Sequence, residues 1–169
     1  MNLAELQKLA PSHRAEFLDP QFCDLLGVWH HMTLPIAALK PSLFEQGVGV
    51  DGSSLPGFSS IERGDMILIP DTATAFMDPF FDRPTLSMIG DVMESADRIL
   101  PYSRNPRRVA ADAERFLQAA FPGVQCILGP EFEFYVFDKV NFFQGAESAF
   151  YHLDSVEADW SAAADEESL

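Results

Sequence analysis

Positive charge is scarce in this chain. Eleven Lys and Arg residues face 26 Asp and Glu over 169 residues, a formal net charge of −15. A surface of that sign repels nucleic-acid phosphates and anionic headgroups, so neither nucleic acid nor a membrane is expected as a partner. Cysteine is nearly absent as well. Cys23 and Cys126 share no metal-type spacing and make no disulfide framework, which points to a reducing, cytoplasmic setting. No apolar run approaches the length of a membrane-spanning helix. Met1 to Glu16 lacks a basic stretch followed by an apolar core, so no secretory leader is expected. Internal repeats are missing too. What is there is the composition of a folded protein: 47% hydrophobic residues, 15 of them in the whole chain being Phe. The length suits one domain, or one small domain with part of another. The acidity serves solubility or attracts cations, and net charge alone does not separate the two.

The periodicities predict an α+β chain. Leu3, Leu6 and Leu9 recur at helical spacing ahead of Pro11. Phe22 to Leu34 reads as a hairpin about Gly27, followed by a short helix within Ile36 to Gln46 that is broken or started at Pro41. Val48 to Val50 is a brief strand, and Asp51 to Phe58 is a Gly-, Ser- and Pro-rich loop. Met66 to Pro70, Thr74 to Met77 and Thr85 to Met93 read as further strands. Asn105 is placed as an N-cap with Pro106 at the first helical position, and Val109, Ala113, Phe116, Leu117 and Ala120 share one helical face. Pro122-Gly123 stops that helix, and a strand is expected over Val124 to Asp138, bent near Gly129-Pro130. The acidic, Ala-rich stretch from Gly145 onward, with Asp165-Glu166-Glu167 near its end, predicts no element.

Two places carry candidate chemistry. Alternation along a strand puts Phe132, Phe134 and Val136 on one face and Glu131, Glu133 and Tyr135 on the other, with the two Glu Cα atoms about 6.7 Å apart. A strand this rich in Phe is expected to be central, and two carboxylates on its other face then need a compensating cation. Divalent ions such as Mg²⁺ or Mn²⁺ prefer oxygen donors of this kind, whereas the alternative is a solvated sheet face. Two ligands do not complete such a site. Asp51-Gly52-Ser53-Ser54 is either an ordinary turn or a loop that offers a carboxylate to a ligand. His30 and His31 are neighbours on a strand and face opposite ways, which favours structural roles over a shared metal. Arg104, Arg107 and Arg108 at a helix start are expected in surface ion pairs more than around an anion.

These segments occur in a recognisable order. Gly27 to Pro35, Val50 to Ser54, Gly64 to Asp71, Asp78 to Phe81, Asn105 to Arg107, Gly129 to Phe134 and Tyr151 to Ser155 together resemble the type I glutamine synthetases. The resemblance covers nearly all of the chain from about residue 22. It implies a β-grasp domain over residues 1–102 and the beginning of a catalytic domain, its first helix and strand, over residues 103–169. It implies that Glu131 and Glu133 are ligands of two catalytic Mg²⁺ or Mn²⁺ ions. It implies that Asp51 binds ammonium and helps deprotonate it, with Ser54 beside it. ATP, glutamate and ammonium are the implied substrates, and the implied active site lies between neighbouring subunits of a ring-shaped homo-oligomer.

The family's remaining metal-ligand carboxylates, a metal-ligand His and the Arg residues that grip glutamate and phosphate are not encoded here. The chain alone is therefore expected to be catalytically inactive, as a fragment of a longer reading frame or a truncated relative. Two other readings stay open. One is a non-catalytic module that joins or regulates a full-length synthetase, and the other is a ligase that takes a different amine.

Overall fold

A computed structural model describes residues 1–94 and 100–160. The expectation for Asp165 to Glu167 lies outside the described residues. The chain forms two compact units, residues 1–126 and 127–169.

In the first unit, helix α1 (Leu3–Ser12) begins with a capping box in which the Asn2 side chain accepts from the Glu5 N–H and the Glu5 carboxylate accepts from the Asn2 N–H. It continues one residue past Pro11, where the leucine spacing predicted a stop. Strand β1 (Phe17–Cys23) pairs antiparallel with β2 (Trp29–His31) and β3 (Leu34–Pro35). The predicted hairpin is present, with Gly27 at φ 84° in its turn. A residue with a Cβ is strained there. Strand β1 starts five residues before the expected hairpin arm. Pro20 sits inside it and hides it, because proline withholds a ladder donor. The short helix α2 (Pro41–Gln46) starts at Pro41, and β4 (Val48–Asp51), β5 (Asp65–Pro70), β6 (Phe76–Asp78) and β7 (Thr85–Glu94) complete the sheet.

The main path of the sheet runs β2-β1-β7-β5-β4, with β1 and β7 parallel at its centre and β4 at one edge. Leu6 and Ala10 of α1 and Leu43 of α2 pack on Leu18, Leu86 and Met88 of the central strands. A second cluster joins Phe22, Leu55, Phe58, Met66, Leu68, Val92 and Tyr102. Leu86, Met88 and Val92 are alternate residues of one strand face, so both clusters rest on the same side of β7. Gly90 lies between them. A Cβ there would sit 2.7 Å from Leu68 Cδ1 and 2.8 Å from the Ile69 carbonyl oxygen, so only glycine lets β5 approach.

Helix α3 (Pro106–Ala120) forms as the Asn-Pro signal predicts. The Asn105 side chain accepts from the Arg107 N–H at 3.3 Å and donates to Asp91 at 3.4 Å. The Arg107 guanidinium reaches Asp91 at 3.1 Å and also bonds Asp71, which ties the first turn of α3 to the sheet. Arg108 pairs with Asp112 one turn along at 2.9 Å. The expectation of ion pairs is met by Arg107 and Arg108, while Arg104 donates to the Gly57 carbonyl at 3.1 Å.

The second unit departs from the sequence reading twice. Residues 124–137 carry no regular structure, so the strand expected over Val124 to Asp138 is absent. A strand exists through its ladder bonds, and among the described residues this segment finds no neighbouring strand. Nor is it buried: Phe132 is 89% exposed and Phe134 80%. Downstream, where no element was predicted, β8 (Lys139–Gln144) pairs antiparallel with β9 (Ala149–Asp154). The four-residue turn between them contains Gly145, and Phe143 lies opposite Phe150 with ring centroids 6.1 Å apart. Such cross-strand aromatic pairs stabilise a ladder.

Candidate functional site

Asp51 is the last residue of edge strand β4, where the chain turns into a single 3₁₀ turn over Gly52–Ser54. Its exposed carboxylate is held entirely by its own loop. Oδ1 accepts from the Ser53 N–H at 2.9 Å and from Ser53 Oγ at 2.6 Å, and Oδ2 accepts from Ser54 Oγ at 2.6 Å. These bonds favour the ionised form. The Ser53 hydroxyl first, then the Ser54 hydroxyl and the Ser53 N–H, hold Asp51 below the usual carboxylate range. The Ser54 N–H adds a smaller effect in the same direction. Across the ladder, Asp51 is directly opposite Asp65. Two like charges at paired positions disfavour the strand pair but raise the local attraction for a cation.

The loop is packed from beneath. Gly52 is buried, and a Cβ there would meet the Met66 sulfur at 2.4 Å. The Gly52 N–H donates to the Gly64 carbonyl at 2.7 Å, which closes the loop's two ends. Close approach of backbone to a core side chain explains the glycine that follows Asp51.

The two adjacent histidines are structural partners of buried acids. His31 Nδ1 lies 2.8 Å from Asp19, which is fully buried and also accepts from Thr33 and Gln21. His30 Nε2 lies 2.8 Å from Asp24, whose other oxygen accepts from the Leu26 and Val28 N–H groups. The His30 bond, above all, holds Asp24 below the usual range, against the opposing effect of burial. The acidic partners Asp19 and Asp24 are the residues that sequence reasoning missed.

Glu131 and Glu133 belong to the second unit and are exposed, whereas Asp51 and Ser54 belong to the first. Their segment is irregular, so the alternation that assigned them to one strand face does not apply. Among the described residues no group of three or more His, Cys, Asp or Glu residues could hold a metal ion. Two carboxylates are hard oxygen donors that fit Mg²⁺ or Mn²⁺ in kind but supply only part of a coordination sphere.

A mixed sheet with a parallel central pair, covered by α1 and α2 and presenting an acidic loop from its edge strand, defines a β-grasp domain. Residues 14–95 match the family described as the glutamine synthetase β-grasp domain. Over 157 residues the chain is 40% identical to a glutamine synthetase of Mycobacterium bovis, covering 93% of this chain and 33% of that protein. It is 38% identical over 161 residues to a 3-hydroxylaminophenol mutase of Cupriavidus pinatubonensis, covering 95% of this chain and 34% of that one. In fold it resembles Plasmodium falciparum glutamine synthetase, solved by cryo-EM, with a TM-score of 0.68 at 18% identity, over 92% of this chain and 30% of that one. The chain belongs to the glutamine synthetase family and corresponds to its N-terminal portion. It spans about a third of the length of the curated relatives it matches. Among the described residues no helix is long and apolar enough to cross a membrane.

Proposed function

We propose that this chain supplies the ammonium-binding loop and two of the metal ligands of an ATP-dependent glutamate–ammonia ligase. The observation that carries the reading is the exposed Asp51 carboxylate, kept ionised by Ser53 and Ser54 at a sheet edge, in a chain 40% identical to a glutamine synthetase. Ammonium has no lone pair and cannot attack a carbonyl. Asp51 Oδ2 attracts the cation and accepts its proton, while Ser54 Oγ fixes the orientation of that oxygen. The ammonia so released displaces phosphate from γ-glutamyl phosphate, itself formed from glutamate and ATP.

Glu131 and Glu133 would each give one oxygen donor to a divalent ion. Such ions, when bound, neutralise charge on the transferring phosphoryl group. With only two donors of this kind, the chain is expected to form no glutamine by itself. Neighbouring subunits of a ring would complete the site, in a cytoplasmic enzyme of nitrogen metabolism. We also propose that the β-grasp domain extends over residues 1–102 and that the catalytic domain begins at residue 103.

The test is a chimera in which this chain replaces the corresponding N-terminal third of the Mycobacterium bovis relative. The chimera should form glutamine from glutamate, ammonium and ATP, and the isolated 169-residue chain should not. An assembled chimera that binds ATP yet makes no glutamine contradicts the proposal. One observation favours a second reading. A relative matched over a similar share of this chain is named 3-hydroxylaminophenol mutase, so a different reaction of the complete protein is the second reading. Assaying the chimera with other amines in place of ammonium separates a ligase of different amine selectivity from the ammonia enzyme.

A further inference from the structure

Two consecutive carbonyl groups of the Asp51 loop are gripped from outside it. The Tyr102 hydroxyl donates to the Phe58 carbonyl, and the Arg104 guanidinium donates to the Gly57 carbonyl at 3.1 Å. Tyr102 is 7% exposed and Phe58 fully buried. Their ring centroids are 4.8 Å apart, and Phe22 lies on Phe58 at 6.4 Å. From Phe58 the contact passes back to the acid. The Phe58 N–H donates to the Leu55 carbonyl, the Ser59 N–H donates to the Gly52 carbonyl, and Gly52 rests against the Met66 sulfur. The Asp51 carboxylate is bonded by Ser53 and Ser54 of its own turn, and that turn meets the sheet through the Asp51–Asp65 pairing and the Gly52 N–H to the Gly64 carbonyl, so the grip on Gly57 and Phe58 is a separate hold on the far end of the loop.

We propose that Tyr102 is a positioning residue for Asp51, anchoring the ammonium loop to the segment that leads into helix α3. The inference rests on the reading of Asp51 given above and adds to it a residue 51 positions away that touches no substrate. Chemistry favours Tyr102 over Arg104 for this role. The tyrosine bond is buried within the second core cluster, whereas the Arg104 bond is exposed and screened by water. Losing the hydroxyl while keeping the ring leaves the aromatic packing in place and frees one buried carbonyl.

Tyr102→Phe in the 169-residue chain tests the anchor directly. Amide hydrogen exchange at Leu55, Phe58 and Ser59 should speed up by roughly two- to tenfold, the range a single neutral hydrogen bond commands, with the amides of β1 and β7 unchanged. Loop amides that exchange as in the parent chain overturn the proposal, and so does an equal acceleration throughout the sheet. The chimera then separates this inference from the one beneath it. Tyr102→Phe should raise the KM for ammonium while the KM values for ATP and glutamate hold, and Asp51→Asn should do so more strongly. If Asp51→Asn raises the KM for ammonium and Tyr102→Phe does not, the anchor is refuted. If neither changes it although exchange responds, the anchor stands and the ammonium role of Asp51 fails.

Discussion

A carboxylate that is to meet a cation has to stay ionised, and Asp51 does so through neighbours only two and three positions away. That locality made the loop legible: Asp-Gly-Ser-Ser carries its own hydrogen bonds wherever the loop is placed. Both hydroxyls lower the Asp51 pKa, so Ser53→Ala and Ser54→Ala should each move its titration upward, towards the ordinary carboxylate value. NMR titration of the side-chain carboxyl carbon checks this. Asp24 gives a second prediction. Its folded pKa lies below the unfolded one, so its contribution to stability is present above the unfolded value and is lost as pH falls through the folded value. The β1–β2 hairpin should therefore loosen on the acid side of the usual carboxylate range, and Asp24→Asn should remove that acid limb. Trp29 fluorescence against pH reports it. The Asp24–His30 and Asp19–His31 pairs were not legible. Opposite faces for the two His followed from strand alternation, but their partners lie 6 and 12 residues away and depend on register.

At the scale of elements, local signals succeeded where the element satisfies its own backbone. Helix α3 begins where Asn105-Pro106 predicts, because a cap and a fixed φ act within one turn. Asn105→Ala should cost about 1–2 kcal/mol, since it removes the cap of a buried helix start. The midpoint of urea unfolding measures it. Strands failed where pairing is non-local. Glu131 to Phe137 has the alternation of a strand and no ladder, whereas Lys139–Gln144 and Ala149–Asp154 make one by facing each other across a short turn. Paired aromatics on both sides of Gly145 were the signal that could have revealed β8 and β9. Gly90 gives the sharpest test of the sheet. A methyl group there meets the Ile69 backbone and the Leu68 side chain, so Gly90→Ala should destabilise the first unit by about 1–3 kcal/mol. Trp29 fluorescence during urea unfolding reads the loss.

At the scale of the whole molecule, the two units differ in how far they bury their apolar residues. In the first, β1, β5 and β7 enclose Leu18, Leu68, Leu86, Met88 and Val92 with no exposure at all. In the second, Phe132, Phe134, Tyr135, Phe142 and Tyr151 are each 78% exposed or more. Apolar surface of that kind drives association. The isolated chain should self-associate with rising concentration in sedimentation velocity, and Phe142→Ser with Tyr151→Ser should reduce the effect. The physical reason that Glu131 and Glu133 could not be placed from sequence is the same: a segment short of partners takes its conformation from whatever it packs against. Metal ligation by these two residues is the part of the proposed function that depends on the second unit. Manganese titration of the chimera, with and without Glu131→Gln and Glu133→Gln, tests it most directly. The parent chimera should bind Mn²⁺ tightly, and the double variant should lose those tight sites while remaining assembled. Undiminished Mn²⁺ binding by the double variant would contradict it.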